Sequence, residues 1–288
     1  MNYNVLIQNR KSVREFADKV VPAAMLNEIY SFYDSSAKRL VPGLKTELHI
    51  FNENVREALE NAAGYHKYLV GAPQYLVLLS ENHPAAALNA GFIMEDLVLK
   101  LSDMEFGSCW VTFSDSELVK SALKIDSPLD VAAIVAFGYG IKTTKRIRLN
   151  IKTMSNVDVV AKHRYMDPKL SIDELVFLNE WGNSEGVREH IGFYDDMLWE
   201  AFYAASLSPS YLNRQAYGFV IHDGGISLVS KPDDYTTAHD GALSLGAAML
   251  HFSAVLGNWL GRQSWRIGDE AAKLSLPEGH SVAATLVL

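Results

Sequence analysis

Two stretches of the chain resemble each other: NAGFIMEDLVLKLSDMEFGSCW at residues 89–110 and SLGAAMLHFSAVLGNWLGRQSW at residues 244–265. Apolar residues recur at helical spacing in both, which predicts a buried helix in each. Three identities align without a gap: Gly91, Met94 and Trp110 align with Gly246, Met249 and Trp265. Self-similarity of this kind indicates that one structural unit occurs twice in the chain.

Further matches occur in the same order on either side of these helices. They are MLNEIY at 25–30 with MLWEAF at 197–202, and VAAIV at 131–135 with VAATL at 282–286. In each half we therefore expect an early helix, a strand, a long buried helix ending in a tryptophan, and a final strand. The predicted fold class is α+β, with repeat 1 at residues 1–160 and repeat 2 at residues 161–288.

Composition limits the classes of function. The 288 residues allow one large domain or two smaller ones. The net charge of −8 argues against a nucleic-acid-binding protein. The single cysteine, Cys109, excludes an intrachain disulfide and favours a reducing, cytoplasmic setting, where we expect it to be a buried structural thiol. The nine histidines form no HExxH motif and no cluster with cysteine, so no metal site is predicted.

The segment 241–261 carries no formal charge and is long enough to cross a bilayer. It contains four glycines and two serines, and its counterpart in the first half is charged. We therefore expect a buried core helix here and no membrane association. Residues 1–16 contain no apolar run of signal-peptide length.

The first half contains two basic segments. In RKSVREF, residues 10–16, the side chains of Arg10, Ser12 and Arg14 alternate, and an extended segment would place them on one side. Guanidinium groups and a hydroxyl suit a phosphate, although a solvated terminus with Ser12 as a helix N-cap would also explain the motif. Arg146 and Arg148 alternate in the same way after FGYG, where the alternative is a solvated linker.

The second half differs from the first at both places. Its aligned segment, NSEGVREH at 183–190, has Ser184 and Gly186 where Arg10 and Ser12 stand, so we expect no phosphate site of its own there. Conversely, LSPSYLNRQ at 207–215 contains Asn213 and Gln215, where the aligned SSAKRLVPG at 35–43 has Val41 and Gly43. A helix-to-strand turn with Ser210 or Asn213 as local caps is the alternative explanation of this polar loop.

Taken in order, RxSxR, GSCW, the basic RxR and PSxxNxQ resemble the flavin-dependent nitroreductase family, in its tandem single-chain form. The resemblance implies a mixed, mainly antiparallel sheet flanked by helices, with the two repeats forming a pseudo-dimer and one FMN at the repeat interface. It assigns the FMN phosphate to Arg10, Ser12, Arg14, Arg146 and Arg148. It places Gly107, Ser108, Ser208, Pro209, Ser210, Asn213 and Gln215 near the flavin ring.

The same resemblance implies an activity. We expect ping-pong transfer of electrons from NAD(P)H to a nitroaromatic, a quinone or a similar electron-poor small molecule, carried out by a monomer. No catalytic side chain is named, because the flavin itself performs the redox chemistry. The alternatives are a degenerate protein that binds flavin or another ligand without turnover, and another flavin reaction such as reductive dehalogenation.

Overall fold

The computed structural model describes residues 1–51, 55–66, 68–141, 145–153, 156–163, 168–192, 196–261, 264–268 and 274–287. These residues divide into two compact units. Unit 1 comprises Met1, Asn9–Ala86 and Asp96–Asp167, and unit 2 comprises Asn2–Gln8, Ala87–Glu95 and Pro168–Leu288. These units are defined by contacts in space, whereas the repeats are defined by sequence similarity. The repeat boundary at 160/161 therefore stays a prediction.

The elements of regular structure are as follows. Helices lie at Tyr3–Asn9 (α1), Ala23–Ser35 (α2), Val55–Leu59 (α3), Ala86–Asp103 (α4), Ser116–Leu123 (α5), Ile172–Leu175 (α6), Val187–Gly192 (α7), Asp196–Ser206 (α8) and Ala238–Leu260 (α9). Strands lie at Thr46–Phe51 (β1), Gln74–Ser80 (β2), Gly107–Val111 (β3), Asp130–Gly138 (β4), Lys145–Thr153 (β5), Asn156–His163 (β6), Val176–Leu178 (β7), Tyr217–His222 (β8), Gly225–Ser230 (β9), Trp265–Ile267 (β10) and Ser281–Leu286 (β11).

Unit 1 is built on an antiparallel sheet in the order β1-β2-β4-β3. Every residue of β2 is buried, as is every residue of β4 after Asp130. Such uninterrupted burial requires both faces of the strand to be covered, which explains why QYLVLLS and VAAIVAFG read as continuous apolar runs. Strands β5 and β6 form a separate antiparallel pair.

Unit 2 contains a sheet in the order β10-β11-β9-β8-β7, in which β7 runs parallel to β8 and the other neighbours are antiparallel. Without β7, this order reproduces that of unit 1, with β8, β9, β11 and β10 in place of β1, β2, β4 and β3. Helices α2 and α8 precede the corresponding strands, and α4 and α9 separate them. The α+β class and the twofold repeat of the fold are therefore confirmed.

The expected element order needs one correction. The four strands that the two sheets share are divided by the long helix, with two before it (β1 and β2, or β8 and β9) and two after it (β3 and β4, or β10 and β11). Trp110 lies in β3 opposite Val135, and Trp265 lies in β10 opposite Leu286, so neither tryptophan ends a helix. These strands are only five and three residues long, and a short apolar segment beside a helix carries no periodicity of its own.

The aligned glycines of the two long helices meet within unit 2. A Cβ atom on Gly91 would lie 2.2 Å from the carbonyl oxygen of Leu243, and one on Gly246 would lie 2.1 Å from that of Leu88. Both distances are far below van der Waals contact, and the obstructing atoms belong to the backbone. Glycine is therefore required at both positions, which explains why this identity recurs in the two repeats.

Helix α9 begins with a side-chain cap, since Thr237 Oγ1 accepts a hydrogen bond from the Asp240 backbone N–H over 3.0 Å. Its segment Ala238–Trp259 is long and apolar enough to cross a membrane, but 78% of the most apolar window is buried inside the protein. This burial is typical of a core helix in a soluble protein, as the sequence predicts.

Candidate functional site

The basic segment 10–16 is extended and lies along the edge of the unit 1 sheet. Ser12 forms a parallel β-bridge with Ser108, and the Val13 N–H donates to the Ser108 carbonyl over 2.8 Å. Phe16 forms an antiparallel bridge with Gly140. The next helix begins only at Ala23, after Pro22, so Ser12 is not a helix N-cap. The extended geometry needed to align Arg10, Ser12 and Arg14 is present.

Glycines allow this segment to approach β3 closely. A Cβ atom on Gly107 would lie 2.8 Å from the Cβ of Val13, and one on Gly140 would lie 3.1 Å from a Val13 methyl group. Val13 therefore fills the space that side chains would take at both positions. Sequence reasoning missed Val13, whose only signal is its place between Ser12 and Arg14.

Positive charge is concentrated around the thiol of Cys109. Burial raises the pKa of this thiol, while the nearby Arg14 and Arg10 guanidinium groups and a hydrogen bond from Ser12 act in the opposite direction. Burial likewise raises the pKa of Tyr68, and the charge of Arg14 opposes that shift too. Arg10, Ser12 and Arg14 therefore lie together in unit 1, and Cys109 is free and buried as expected.

Two further predicted residues of unit 1 are placed by the backbone alone. Arg146 and Arg148 lie in β5, opposite Lys162 and Val160 of β6. Residues two apart in a strand share one face, so the backbone is compatible with a common ligand. The side chains of both arginines lie outside the described part of the chain, and their role stays a prediction. Ser108 is buried, and its carbonyl already accepts from Val13.

The polar loop of unit 2 is held largely by its own side chains. Ser208 is fully buried, with its hydroxyl 2.7 Å from the Tyr217 hydroxyl, and its carbonyl accepts from Lys169 Nζ over 2.7 Å. Gln215 is also buried; its Oε1 accepts from the Leu170 N–H and its Nε2 donates to the Ser206 carbonyl, each over 2.9 Å. These two side chains support the loop from within.

Ser210 and Asn213 retain hydrogen-bonding capacity. Ser210 Oγ accepts from the Gln215 N–H over 3.0 Å, so its hydroxyl proton can still be donated. Asn213 Nδ2 donates to the Pro168 carbonyl over 2.8 Å, and within the described part of the chain its Oδ1 has no hydrogen-bond partner. Neither is a local cap, since Ser210 makes no side-chain cap bond to the turn at Tyr211–Asn213 and Asn213 bonds to Pro168, which is distant in sequence. The two side chains still offer one donor and one acceptor to a ligand.

Backbone strain is concentrated in the same loop, next to Pro209. Leu212, Asn213 and Gln215 have φ angles of 48°, 59° and 46°. Non-glycine residues rarely occupy this left-handed region, and such strain accumulates at ligand-binding segments. The hydrogen bond from the Tyr211 N–H to Ser244 Oγ, 3.0 Å long, helps to hold the strained turn against α9.

A metal site is not evident in the part of the chain that the structure describes, where no three His, Cys, Asp or Glu side chains cluster suitably. The groups that do converge are cationic and hydroxyl groups in unit 1 and amide and hydroxyl groups in unit 2. The first set suits a phosphate, and the second suits a ligand that both donates and accepts hydrogen bonds.

Comparison with known proteins identifies relatives. The model of a family described as "Putative TM nitroreductase" matches residues 3–172. No curated protein sequence matches the chain. A structure from Thermotoga maritima, described as a putative nitroreductase, is 20% identical; the match covers 100% of this chain and 94% of that one, with a TM-score of 0.57.

Other similar structures correspond to about half of this chain. An FMN-dependent nitroreductase from Clostridium difficile is 18% identical over 48% of this chain and 87% of its own, with a TM-score of 0.42. A nitroreductase family protein from Clostridium novyi is 20% identical over 49% and 86%, also with a TM-score of 0.42. Since the family model matches more than half of its residues, the chain belongs to the nitroreductase family.

Proposed function

We propose that the protein is an FMN-dependent oxidoreductase that takes electrons from NAD(P)H and reduces nitroaromatic, quinone or similar electron-poor small molecules. Family membership supports the oxidoreductase class. The observation that carries the proposal further is the extended segment 10–16, which aligns Arg10, Ser12 and Arg14 along β3. When bound, FMN would supply the two-electron chemistry of a ping-pong cycle.

The residues of this chain would bind and orient the cofactor. Arg10 and Arg14 would make charge-assisted hydrogen bonds to the phosphate, with Arg146 and Arg148 adding charge from β5. Gly107, whose missing side chain makes room for Val13, would keep the basic segment against β3 beside the ring. The Ser210 hydroxyl and Asn213 Oδ1 would pair with polar atoms at the ring edge, while Ser208 and Gln215 keep the loop in shape.

One FMN per chain is expected because the second repeat has lost the phosphate-binding pattern. Arg188, which aligns with Arg14, lies in helix α7 and not in an extended segment. Its guanidinium is already bonded to Asp173 through two contacts of 3.2 and 2.8 Å. A guanidinium engaged in this way would have to break the pair before binding a phosphate.

Flavin stoichiometry and turnover test the proposal together. The purified chain is loaded with excess FMN, desalted, and its visible absorption recorded; NADH or NADPH oxidation is then followed with a quinone and with a nitroaromatic. We expect one flavin per chain and acceptor-dependent oxidation. Two flavins per chain would refute the single-site proposal. Retained flavin without turnover would favour a non-catalytic binding protein, and turnover with other products would favour a different flavin reaction.

We further propose that the single chain functions as a monomer in the cytoplasm. Two repeats within one chain can replace the symmetric dimer that two identical subunits would form. The single free thiol fits a reducing compartment. Sedimentation equilibrium at several protein concentrations tests the first statement, since a monomer has a mass of 31.9 kDa throughout and a dimer has twice that mass.

A further inference from the structure

Aligned residues of the two repeats differ at the groove between their early and late helices. In unit 1, Lys100 on α4 reaches across to Glu28 on α2, with Nζ 2.5 Å from the carboxylate Oε1. The same ammonium lies 5.9 Å from the centre of the Phe32 ring. This lysine fills the groove, and its side chain is only 13% exposed.

The corresponding groove in unit 2 keeps the acid and has lost the base. The gapless alignments place Glu200 of α8 at the position of Glu28, and Val255 of α9 at the position of Lys100. Within the described part of the chain, the Glu200 carboxylate has one hydrogen bond, a contact of 3.4 Å from Asn4 Nδ2. No lysine or arginine of the described residues forms an ion pair with it.

A cavity of about 70 Å³ occupies the place where the lysine side chain would be. It lies among α1, α8 and α9, with Ile7, Ala204, Leu207 and Val255 forming apolar walls and Tyr203 at one side. The volume is sufficient for several water molecules or for a short alkyl chain.

Hydrogen-bond acceptors converge on this cavity. Asn4 must turn Nδ2 toward the carboxylate of Glu200, because a carboxylate only accepts. The Oδ1 of Asn4 is thereby left buried and without a hydrogen-bond partner among the described residues. A buried acceptor without a donor is destabilising, and the half-buried Glu200 carboxylate beside it is a further acceptor. An ammonium group offers three donors and a positive charge, which is the complement of this arrangement.

We infer that this groove is a binding site for a small primary alkylammonium ion, which would take the place that Lys100 Nζ takes in the first repeat. Its ammonium would bond to Glu200 and to Asn4 Oδ1, and its alkyl chain would pack against Ile7, Leu207 and Val255. The inference depends on residues of unit 2 alone and not on flavin binding.

The direct test is titration of the full chain with n-butylammonium, a free analogue of the lysine side chain, followed by NMR shifts of the tyrosine and amide signals. We expect saturable binding at one site per chain and no saturable binding of 1-butanol, which has the same length and no charge. Glu200→Gln keeps the shape and removes the charge, so it should weaken binding at least tenfold. Glu28→Gln is the matched control and should leave the affinity unchanged.

A second pair of variants tests, with no ligand added, whether an ammonium group in the cavity stabilises the protein. Val255→Lys supplies the cation from α9, whereas Val255→Met fills the same cavity with a side chain of similar length and no charge. We expect Val255→Lys to have the higher Tm and to abolish the response to n-butylammonium. Absence of saturable binding to the wild type, unchanged binding in Glu200→Gln, or a Tm for Val255→Met equal to or above that of Val255→Lys would overturn the inference.

Discussion

The segments RKSVREF and NSEGVREH are aligned in the two repeats, and they fold differently. Residues 10–16 form an extended segment bridged to β3, whereas residues 187–190 begin helix α7. Arg14 lies near the buried thiol of Cys109, whereas Arg188 is bonded to Asp173 at the surface. A duplicated unit has therefore kept its sheet while its two copies have diverged in the groups available for binding.

The polar loops show the reverse difference. Residues 207–215 contain a strained turn in which the side chains of Ser208, Ser210 and Gln215 are all hydrogen-bonded. In the first repeat the aligned residues include Val41 and Gly43, which cannot make such bonds, and a Cβ on Gly43 would meet open space. The first repeat therefore contains the basic segment of the proposed site, and the second repeat contains its polar loop.

The largest loss of stability is expected at Gly246, one of the glycines that the two repeats share. Gly246→Ala would drive a methyl group against the backbone of α4, and we expect it to destabilise the fold by roughly 3–5 kcal/mol. Urea denaturation gives the free energy of unfolding. Gly241→Ala, also in α9, is the control: its Cβ would lie 3.5 Å from Thr236, so it should be neutral or stabilising. If Gly246→Ala and Gly241→Ala lowered the free energy of unfolding equally, the close approach of Gly246 to the backbone of α4 would be disproved.

Gln215→Leu tests whether the loop is internally supported. Both the Leu170 N–H and the Ser206 carbonyl would lose their partner, which should lower the free energy of unfolding by roughly 2–3 kcal/mol. Asn213→Ala, the control, removes a more exposed bond and should cost less than about 1 kcal/mol while changing the rate of flavin reduction. If the stability order were reversed, the division of roles within the loop would be wrong.

Arg14→Ala tests the difference between the basic segments. Loss of a charge-assisted bond to phosphate should weaken FMN binding by roughly 10- to 100-fold, or about 1.5–3 kcal/mol. Fluorescence titration of the apoprotein with FMN measures this. The aligned variant Arg188→Ala should bind FMN as the wild type does, because Arg188 is already paired with Asp173. A comparable loss in Arg188→Ala would indicate a phosphate site in the second repeat.

The smallest change in stability is expected from the ionisation of Cys109, which aligns with the exposed Ser264. Burial raises the pKa of the thiol in the folded state above its unfolded value, despite the opposing arginines. The stability associated with the neutral thiol is complete below about pH 8.5 and is lost as the pH rises through the folded pKa. Relative to Cys109→Ala, the wild type should therefore lose stability as the pH rises above about 8.5. If the free energies of unfolding of the wild type and of Cys109→Ala, measured in urea, changed with pH in the same way, this prediction would be wrong.

Much of the fold was predictable because its signals are local. The pair MLNEIY and MLWEAF lies in α2 and α8, and the pair VAAIV and VAATL lies in β4 and β11, as expected. Helical periodicity and continuous apolar runs arise from burial of the element itself, so they survive in the sequence. The strand that contains Trp110 was missed because its β structure depends on pairing with β4, which is distant in sequence.

The candidate site was less accessible to sequence reasoning. Alternation of Arg10, Ser12 and Arg14 predicted a common direction, but the bridge to Ser108 that keeps the segment extended is a tertiary contact. Composition pointed to the loop 208–215 as a ligand-binding segment, yet hydrogen bonds show that Ser208 and Gln215 are turned inward. Lys169 and Tyr217, which complete those bonds, carried no motif that would have marked them.

By itself the sequence determined that one α+β unit occurs twice and that basic and polar segments are divided between the copies, because periodicity and aligned substitutions are properties of the chain order. Only the tertiary structure decided which of those side chains are already bonded, why Gly91 and Gly246 must lack a side chain, and that Val255 leaves Glu200 without the lysine that Glu28 has. Each of these depends on distances between residues far apart in sequence, which packing sets and composition does not record.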